Sequence, residues 1–290
     1  MIRRQSWVPY AFLLPTISLL VVFRLLPMAY AVGRSFFTTN FATGGLAFDG
    51  WGNYTALFSD PTFWQSLQTT IVFNVILNPL QTFVALLLAL LVNLPLRGRW
   101  AFRTIFFVPV GVSITVATII WGLMLDADSG LINGMLNSLH LPPQPFFTST
   151  TQALAGIMVI ASWKGLGYWM IFFLAGLQGI PQALYEAANI DGASPLQSFL
   201  HITLPLLRRV IAFVLVADTT INFLLFAPVF IQTQGGPQNS TDLLMYEAYR
   251  SAFSDLDMGR ATSIVVIILL IILVVVGAEL FLLRPTDSSV

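Results

Sequence analysis

The amino-acid sequence predicts an all-α integral membrane protein whose residues 1–290 form one domain with six transmembrane helices. Charged residues make up 9% of the chain and hydrophobic residues 57%, whereas a soluble domain carries about 25% charged residues. The mean hydropathy is +0.82. Strands are excluded from the spans, because an open sheet edge would leave backbone groups unpaired in lipid. Six apolar stretches have the roughly 20 residues that a helix needs to cross the hydrocarbon core: 9–32, 67–94, 103–125, 152–179, 207–231 and 261–283.

The distribution of arginine and lysine predicts that both termini face the cytoplasm, where the loops of membrane proteins carry most of their basic residues. With the N-terminus inside, three basic residues fall in external segments, and Arg24 and Lys164 fall within spans. The loops around 34–66, 126–151 and 232–260 would then be external. Eight basic residues would be cytoplasmic: Arg3, Arg4, Arg97, Arg99, Arg103, Arg208, Arg209 and Arg284.

The N-terminal stretch is interpreted as an uncleaved first helix rather than a signal peptide, because no small-residue cleavage site follows it. Arg3 and Arg4 are interpreted as cytoplasmic anchoring charges rather than a twin-arginine signal. The formal net charge of zero argues against a nucleic-acid partner. The chain has no cysteine, which excludes disulfides and thiolate chemistry. No cluster of histidine and acidic residues indicates a metal site.

A polar segment, residues 181–206, lies between the fourth and fifth spans and is longer than a simple connection requires. We expect a short helix over Pro181–Ile190, since proline suits a first helical turn. Asp191-Gly192 would end it, because glycine adopts the left-handed conformation at low cost. A second helix would begin at Ser194-Pro195, with the serine as N-cap, before Leu204-Pro205 turns the chain back to the membrane. A helix with an alanine-rich face suits docking in a groove of another protein.

This segment resembles the EAA loop of the permeases of bacterial ABC importers. The resemblance rests on Glu186-Ala187-Ala188, then Gly192 after three further residues, then Ile202-Thr203-Leu204-Pro205 after nine more. In that family the loop forms the coupling helix, which lies in a cleft of the ATP-hydrolysing subunit and transmits the closure of that subunit. From the residues alone, a capped surface helix without a partner is the alternative.

The resemblance implies a role for each matching residue. Glu186 would meet a basic residue of the ATP-hydrolysing subunit, Ala187 and Ala188 would permit close approach, and Asp191 and Gly192 would end the coupling helix. The sequence contains no Gly-x-x-x-x-Gly-Lys-Ser/Thr motif. ATP and magnesium would therefore be bound by partner subunits, and this chain would have neither a cofactor nor catalytic residues.

The rest of the chain narrows the resemblance to sugar permeases of the MalF/UgpA type, in the carbohydrate uptake family. Their first span is similar to FLLPTISLLVVFRLLPMAYAVGRSF, and their third to FRTIFFVPVGVSITVATIIWGLMLDADSGLINGML. The order and spacing also agree for WKGLGYWMIFFLAGLQGIPQALYEAANIDGA and QTQGGPQNSTDLLMYEAYRSAF. Permeases for other solutes share the EAA loop but lack much of this setting.

Polar and aromatic residues in the fourth and fifth spans predict a sugar site, because polar groups within a membrane mark solute pathways. Aromatic rings cover the C–H face of a sugar, while carboxylate and amide groups bond its hydroxyls. The resemblance points to the same region, since seven positions fall where maltose permeases line their sugar pocket. These positions are Lys164, Gly165, Tyr168, Asp218, Ile221, Asn222 and Leu225.

The resemblance implies a pocket without naming its sugar, because Asp218, Ile221 and Leu225 depart from the residues of maltose permeases. We expect Gly165 to let a ligand approach the backbone. Two other interpretations stay open: Lys164 and Asp218 could neutralise each other without contacting a ligand, and the aromatic residues of span four could lie at the membrane–water interface. Glycerol 3-phosphate or a related polar solute is the alternative substrate, which Lys164 suits and Asp218 disfavours.

The last predicted external loop contains Gly235, Gly236 and Pro237, which are turn-forming residues. The counterpart of this loop in the family faces the sugar-binding protein. A generic external turn is the alternative interpretation of the same three residues.

Together the resemblances imply a multi-pass subunit of an ABC importer in the bacterial plasma (inner) membrane, forming half of the pore for ATP-driven uptake of a mono- or oligosaccharide. The implied partners are a second permease, preferably in a heterodimer, two ATP-hydrolysing subunits and an extracellular sugar-binding (lipo)protein. An ion-coupled secondary transporter would use Asp218 as its membrane carboxylate and would leave the EAA loop unexplained. A membrane enzyme would have to use Glu186, Asp191 and His201, whose spacing fits a docking loop better.

Overall fold

The computed structural model describes residues 8–40, 45–95 and 98–283. Within these ranges nearly all regular structure is helical, which confirms the predicted all-α fold class. Four of the charges on which the predicted orientation depends lie outside the described residues: Arg3, Arg4, Arg97 and Arg284.

The elements of the described chain alternate long apolar helices with short connecting helices. Those up to residue 138 are α1 (Val8–Leu20), a π-helical turn (Val21–Leu25), α2 (Leu26–Arg34), β1 (Phe37–Asn40), β2 (Gly45–Phe48), α3 (Gly52–Phe58), α4 (Pro61–Asn93), α5 (Arg99–Phe107), a 3-10 turn (Val108–Gly111), α6 (Ile114–Met124) and α7 (Leu131–Ser138). Those that follow are a 3-10 turn (Phe146–Thr148), α8 (Ala153–Gln178), α9 (Gln182–Ile190), α10 (Pro195–Ser198), a π-helical turn (Phe199–Thr203), α11 (Leu204–Leu206), α12 (Arg208–Phe223), α13 (Ala227–Gln232), α14 (Leu244–Phe253) and α15 (Met258–Leu282).

Five helical stretches in the described part of the chain are long and apolar enough to cross a membrane. They correspond to the first, second, fourth, fifth and sixth predicted spans. A sixth crossing is added if a bent pair of helices, Arg99–Gly111 and Ile114–Met124, is counted as one span. The five stretches are Tyr10–Arg34, Pro61–Asn93, Ala153–Gln178, Arg208–Gln232 and Met258–Leu282.

The third predicted span, 103–125, is not one straight helix. Its first half ends in the 3-10 turn Val108–Gly111, the backbone is extended at Val112, and α6 then runs at 103° to the first half. Pro109 has no N–H group to donate to a continuing helix, and Gly111 is a poor helix former. Hydropathy averaged over a span length does not detect this bend, because the flanking residues remain apolar.

A small β-hairpin lies in the predicted loop 34–66, outside the spans. β1 and β2 pair antiparallel, with Phe37 opposite Phe48 and Asn40 opposite Gly45. The rings of Phe37 and Phe48 meet edge to face with their centroids 5.4 Å apart. Cross-strand aromatic pairs of this kind stabilise a hairpin. Because this hairpin lies outside the predicted spans, it agrees with the prediction that no strand crosses the lipid.

The described chain forms two compact units. The first consists of the residues up to Phe63 together with Glu247–Leu269. The second consists of Trp64–Tyr246 and the described residues from Leu270 onward. The second unit therefore contains α8 and α12, the two helices on which the sequence places a solute site, as well as the segment 181–206.

In the first unit, an ion cluster connects α15 to the start of α4. Arg260 Nη2 lies 2.7 Å from the carboxylate of Asp60 and 2.7 Å from that of Glu247. Burial raises the pKa of Asp60, but hydrogen bonds from the Thr62 backbone N–H and from Arg260 outweigh burial and hold this pKa below its usual value. The ionised carboxylate therefore contributes stability at pH values above the ordinary aspartate pKa, and this stability is lost only as the pH falls through the lowered value.

In the second unit, small residues allow helices to pack closely against α8. Ala85 and Ala89 of α4 are fully buried in the same apolar core as Phe173 of α8. A Cβ atom on Gly167 would lie 1.9 Å from the backbone carbonyl oxygen of Phe106. Small residues at helix contacts are typical of membrane proteins, in which close van der Waals packing drives helix association. The absence of a side chain at Gly167 thus fixes the separation of α8 from the end of α5.

Replacing Gly167 by alanine is expected to lower the melting temperature of the detergent-solubilised protein, because the new methyl group would overlap the Phe106 carbonyl. Overpacking of this kind costs about 1–3 kcal/mol. Gly134→Ala is the matched control, since nothing lies within 4 Å of the position that its Cβ would take and alanine favours a helix over glycine. A Gly167→Ala protein that melts at or above the temperature of the Gly134→Ala protein would show that the position tolerates a methyl group.

Candidate functional site

A cavity of about 550 Å³ lies in the second unit between α4, α6, α8, α12 and α13. Its volume is within the range of small-molecule sites, about 300–1,000 Å³. The structure places all seven residues of the predicted sugar site in its wall: Lys164, Gly165, Tyr168, Asp218, Ile221, Asn222 and Leu225. The other lining residues are Gln81, Val110, Ile114, Ala161, Trp169, Leu224, Phe226, Ala227 and Pro228.

The carboxylate of Asp218 is buried in the cavity wall, with 1% of the residue exposed. Its Oδ1 accepts hydrogen bonds from Trp169 Nε1 (2.8 Å), Asn222 Nδ2 (3.1 Å) and Gln81 Nε2 (3.2 Å). Its Oδ2 is also buried but has no hydrogen-bond partner among the described residues. An unmatched buried acceptor costs about 1–3 kcal/mol. One oxygen of the carboxylate is thus fixed by the protein, while the other has an unused acceptor position beside the cavity.

Gln81 supplies a second unmatched acceptor beside Asp218. Its Nε2 donates to the carboxylate, while its Oε1 is buried and has no partner in the described part of the chain. A Cβ on Gly165 would lie 1.8 Å from Gln81 Nε2. The space above Gly165, in which the sequence predicted a ligand, is therefore occupied by the Gln81 amide. Sequence reasoning missed Gln81, although a glutamine within an apolar span is itself a signal.

Lys164 bonds the backbone at the bend between α5 and α6. Its Nζ donates to the carbonyl oxygens of Val110 (2.9 Å) and Val112 (2.6 Å). The bend removes helical partners from carbonyl groups there, and a polar backbone group in an apolar region needs a replacement partner. The mutual neutralisation of Lys164 and Asp218, which the sequence left open, is not formed.

Aromatic residues form one side of the cavity. The ring of Tyr168, which is 39% exposed, meets Trp169 edge to face with the centroids 4.7 Å apart. Trp169 is 2% exposed and directs its indole N–H to Asp218. Tyr168 and Trp169 therefore belong to the cavity wall, whereas Trp163 packs against Trp121, with centroids 6.2 Å apart.

The short helix α9 carries the residues predicted to couple the chain to an ATP-hydrolysing subunit. Glu186 and Ala187 are exposed, and Ala188 is half-buried. Asp191 is the exposed C-cap residue, and Gly192 follows with φ of +77°. Only glycine adopts this left-handed conformation without strain, which agrees with the turn that the sequence predicted at this position.

The chain after α9 is held in a fixed conformation. Ser194 and Gln197 form a reciprocal capping box at the start of α10. The hydroxyls of Tyr185 and Thr203 lie 2.8 Å apart and connect α9 to the π-helical turn that leads back to α12. Ile190, at the end of α9, is 86% exposed. The segment 181–206 thus exposes the side chains of Glu186, Ala187 and Ile190 on a helix that is held in place by these hydrogen bonds.

The third predicted site, the loop with Gly235, Gly236 and Pro237, lies between α13 and α14. Gly235 has φ of +82°, and a Cβ there would lie 3.0 Å from the ring of Tyr246. Thr241 Oγ1 donates a 2.8 Å hydrogen bond to the carbonyl of Gly236. The structure therefore shows a well-defined turn at this position.

Comparison with known proteins identifies the family. Residues 81–284 match the family described as "Binding-protein-dependent transport system inner membrane component". The sulfoquinovosyl glycerol transport system permease protein SmoG of Agrobacterium fabrum is 34% identical over 272 residues, which cover 93% of this chain and 87% of SmoG. The chain belongs to this family of permeases.

Other relatives agree with this assignment. The sn-glycerol-3-phosphate transport system permease protein UgpA of Brucella suis biovar 1 is 36% identical to this permease over 256 residues, covering 88% of this chain and 87% of UgpA. A chain in the crystal structure of a bacterial alginate ABC transporter, in complex with an alginate pentasaccharide-bound periplasmic protein, superposes with a TM-score of 0.84. That superposition has 25% sequence identity and covers 98% of this chain and 97% of the other.

The family assignment makes this chain a multi-pass membrane permease and a transport subunit. The matched region, 81–284, begins at Gln81 and contains every lining residue of the cavity as well as α9. The cavity and the segment 181–206 therefore both lie in the region that defines the family.

Sequence reasoning also missed Glu279, a second carboxylate within the predicted spans. Glu279 lies near the end of α15, and its Oε1 accepts a 2.8 Å hydrogen bond from Thr219 Oγ1 of α12. Acidic residues within a span are rare and mark functional positions. An inspection of each predicted span for charged residues would have found it.

Proposed function

We propose that this permease forms half of the pore of a bacterial ABC importer for a neutral carbohydrate, a mono- or oligosaccharide delivered by an extracellular binding protein. The observation that carries the proposal is the pair of unmatched hydrogen-bond acceptors in the cavity, Asp218 Oδ2 and Gln81 Oε1. A solute with hydroxyl donors would satisfy these acceptors once they are uncovered during transport, and a sugar carries several hydroxyls on one ring.

Glycerol 3-phosphate is the second candidate, because the UgpA relatives transport it by name. A phosphate group needs donors rather than acceptors. Lys164 is the cation that lines the cavity, and two of its three N–H donors already bond the carbonyls of Val110 and Val112. The carboxylate of Asp218 would repel a phosphate in the same cavity. The arrangement therefore favours an uncharged polyol.

The apolar part of the cavity supports a sugar as well. Tyr168 presents a partly exposed ring in the wall, and aromatic rings cover the C–H face of a pyranose. Ile221 and Leu225 line the cavity with aliphatic groups. Two relatives carry sugar-containing solutes in their names, sulfoquinovosyl glycerol and alginate, which supports a carbohydrate here. Alginate is an acidic polysaccharide, so the proposal of a neutral solute rests on the cavity and not on these relatives.

The energy for transport would come from partner subunits. Two ATP-hydrolysing subunits would bind ATP and magnesium, and each would receive the coupling helix of one permease, here α9 with Glu186. A second, distinct permease would complete the pore, and the turn at Gly235–Pro237 would face a sugar-binding lipoprotein. This arrangement requires α9 and both termini to lie in the cytoplasm of a bacterium and the turn to lie outside the plasma (inner) membrane.

The chain offers a direct mechanical route from the coupling helix to the cavity. α10, the π-helical turn and α11 lead from α9 into α12 without an intervening loop longer than a few residues. α12 carries Asp218 and Asn222, so a displacement of α9 would be passed to the cavity wall through the backbone and the Tyr185–Thr203 contact. Coupling between sites is reciprocal, so solute and binding protein would in turn alter closure of the ATP-hydrolysing subunits.

Uptake by the complete importer in proteoliposomes tests the choice of solute. We expect ATP-dependent uptake of at least one neutral sugar from a panel of maltose, sucrose and trehalose, and none of sn-glycerol 3-phosphate. Asp218→Asn is expected to slow sugar uptake about tenfold or more, because a hydrogen bond to a charged group contributes about 1.5–3 kcal/mol. Leu273→Ala, at a position 59% exposed on α15, is the control. Uptake of sn-glycerol 3-phosphate in preference to sugars would overturn the proposal.

Glu186→Ala tests the coupling role of α9. The substitution is expected to weaken binding of the ATP-hydrolysing subunit about tenfold or more, because removal of one partner of a charge pair at an interface costs at least about 2 kcal/mol. Affinity is measured by titrating the solubilised permeases with the ATP-hydrolysing subunit. Asp128→Ala removes an equally exposed carboxylate from the 126–130 turn and should have no effect. Equal affinity of the Glu186→Ala and Asp128→Ala proteins would refute the role.

A further inference from the structure

A continuous chain of hydrogen bonds leads from the cavity to the last helix. Asn222 Nδ2 donates to Asp218 Oδ1 (3.1 Å) and to Asn78 Oδ1 (2.7 Å). Asn78 Nδ2 donates to Thr219 Oγ1 (2.9 Å), and Thr219 Oγ1 donates to Glu279 Oε1 (2.8 Å). Three helices, α4, α12 and α15, are joined in this way within the second unit.

This series of hydrogen bonds has a direction, because each side chain from Asn222 onward donates to the next one toward Glu279. A carboxylate accepts hydrogen bonds only, so the Thr219 hydroxyl must direct its proton to Glu279 and present its lone pairs to the Asn78 amide. Asn78 then turns its oxygen to Asn222, and Asn222 turns its NH₂ group to Asp218. Without the terminal acceptor, the Thr219 hydroxyl would lose its partner and could turn away from Asn78, which would loosen the contact between Asn78 and Asn222.

Burial keeps water from the three central members of this hydrogen-bond chain, whereas Glu279 at its end is half-buried. Asn78 is 5% exposed, Thr219 1% and Asn222 3%. The end of α15 is held independently, since Arg208 Nη2 at the start of α12 donates a 2.8 Å hydrogen bond to the carbonyl of Leu282. α12 and α15 are therefore joined at two points, which keeps Glu279 within reach of Thr219.

We propose that Glu279 is a positioning residue for solute recognition. Through Thr219 and Asn78 it would hold the Asn222 side chain in place, and thereby the Asp218 carboxylate that Asn222 bonds. The inference rests on the proposed function, since it assigns Asp218 Oδ2 to the solute. Asn222 and Trp169 both bond Oδ1, and Oδ2 has no partner among the described residues. If the Asn222 side chain moved away, Oδ1 would lose a donor and the carboxylate could rotate.

The test measures the initial rate of ATP-dependent uptake by the assembled importer in proteoliposomes, using whichever of maltose, sucrose and trehalose the unmodified importer takes up. Glu279→Leu is expected to slow uptake about threefold to tenfold, the effect of one lost buried hydrogen bond. Glu279→Gln retains an acceptor oxygen and is expected to restore uptake to within about twofold. Leu280→Ala, the next residue and 50% exposed, is the control for a change in α15.

A double-substitution experiment separates positioning from a general structural role. In an Asp218→Asn background, Glu279→Leu is expected to cause no further loss, because it acts through the missing carboxylate. Additive losses, or a Glu279→Gln importer as slow as Glu279→Leu, would overturn the inference. If Glu279→Leu prevents assembly on size-exclusion chromatography, Thr219→Val replaces it, because it breaks the same hydrogen-bond chain with little change in side-chain shape. Thr219→Val should slow uptake in the unmodified importer and cause no further loss in the Asp218→Asn background.

An unmodified importer that takes up no sugar would refute the proposed function itself, before any variant is compared.

Discussion

The hydrogen bonds to one oxygen of Asp218 are the interaction on which the rest of the cavity depends. A buried carboxylate is strongly disfavoured unless donors surround it, and Trp169, Asn222 and Gln81 supply three. The position of one donor depends on a neighbouring glycine, because Gln81 reaches the carboxylate only where Gly165 has no side chain. The second oxygen has no partner among the described residues, and we propose that it would favour a solute with hydroxyl groups.

Buried backbone groups also need hydrogen-bond partners, and this need explains how the irregular backbone beside the cavity is tolerated. A straight third span would satisfy its own carbonyls, whereas the 103° bend after Gly111 leaves carbonyls that Lys164 bonds. Irregular backbone at membrane depth is tolerated where protein groups satisfy it. The bend in turn places Val110 and Ile114 in the cavity wall. Lys164, which the resemblance to sugar permeases placed in the solute site, thus supports the helix break.

Local signals predicted the parts of the structure that depend on neighbouring residues. Hydropathy located five of the membrane-spanning helical stretches, and proline, glycine and serine positions predicted the two short helices on either side of Gly192. The resemblance to sugar permeases selected seven residues that line one cavity. Gln81, Glu279 and the bend at Val112 were missed, because their roles depend on contacts with residues 50 or more positions away, such as Asp218, Thr219 and Lys164.

The most direct test of the account is gentle purification of the tagged permease from its native membrane, followed by mass spectrometry of the proteins and small molecules that accompany it. The account predicts an ATP-hydrolysing subunit, a second permease with its own EAA loop and a sugar-binding lipoprotein, with a neutral carbohydrate bound to the last. Recovery of the permease alone from such preparations would contradict a partner-driven importer. It would leave the exposed Glu186 and Ile190 of α9 without a role.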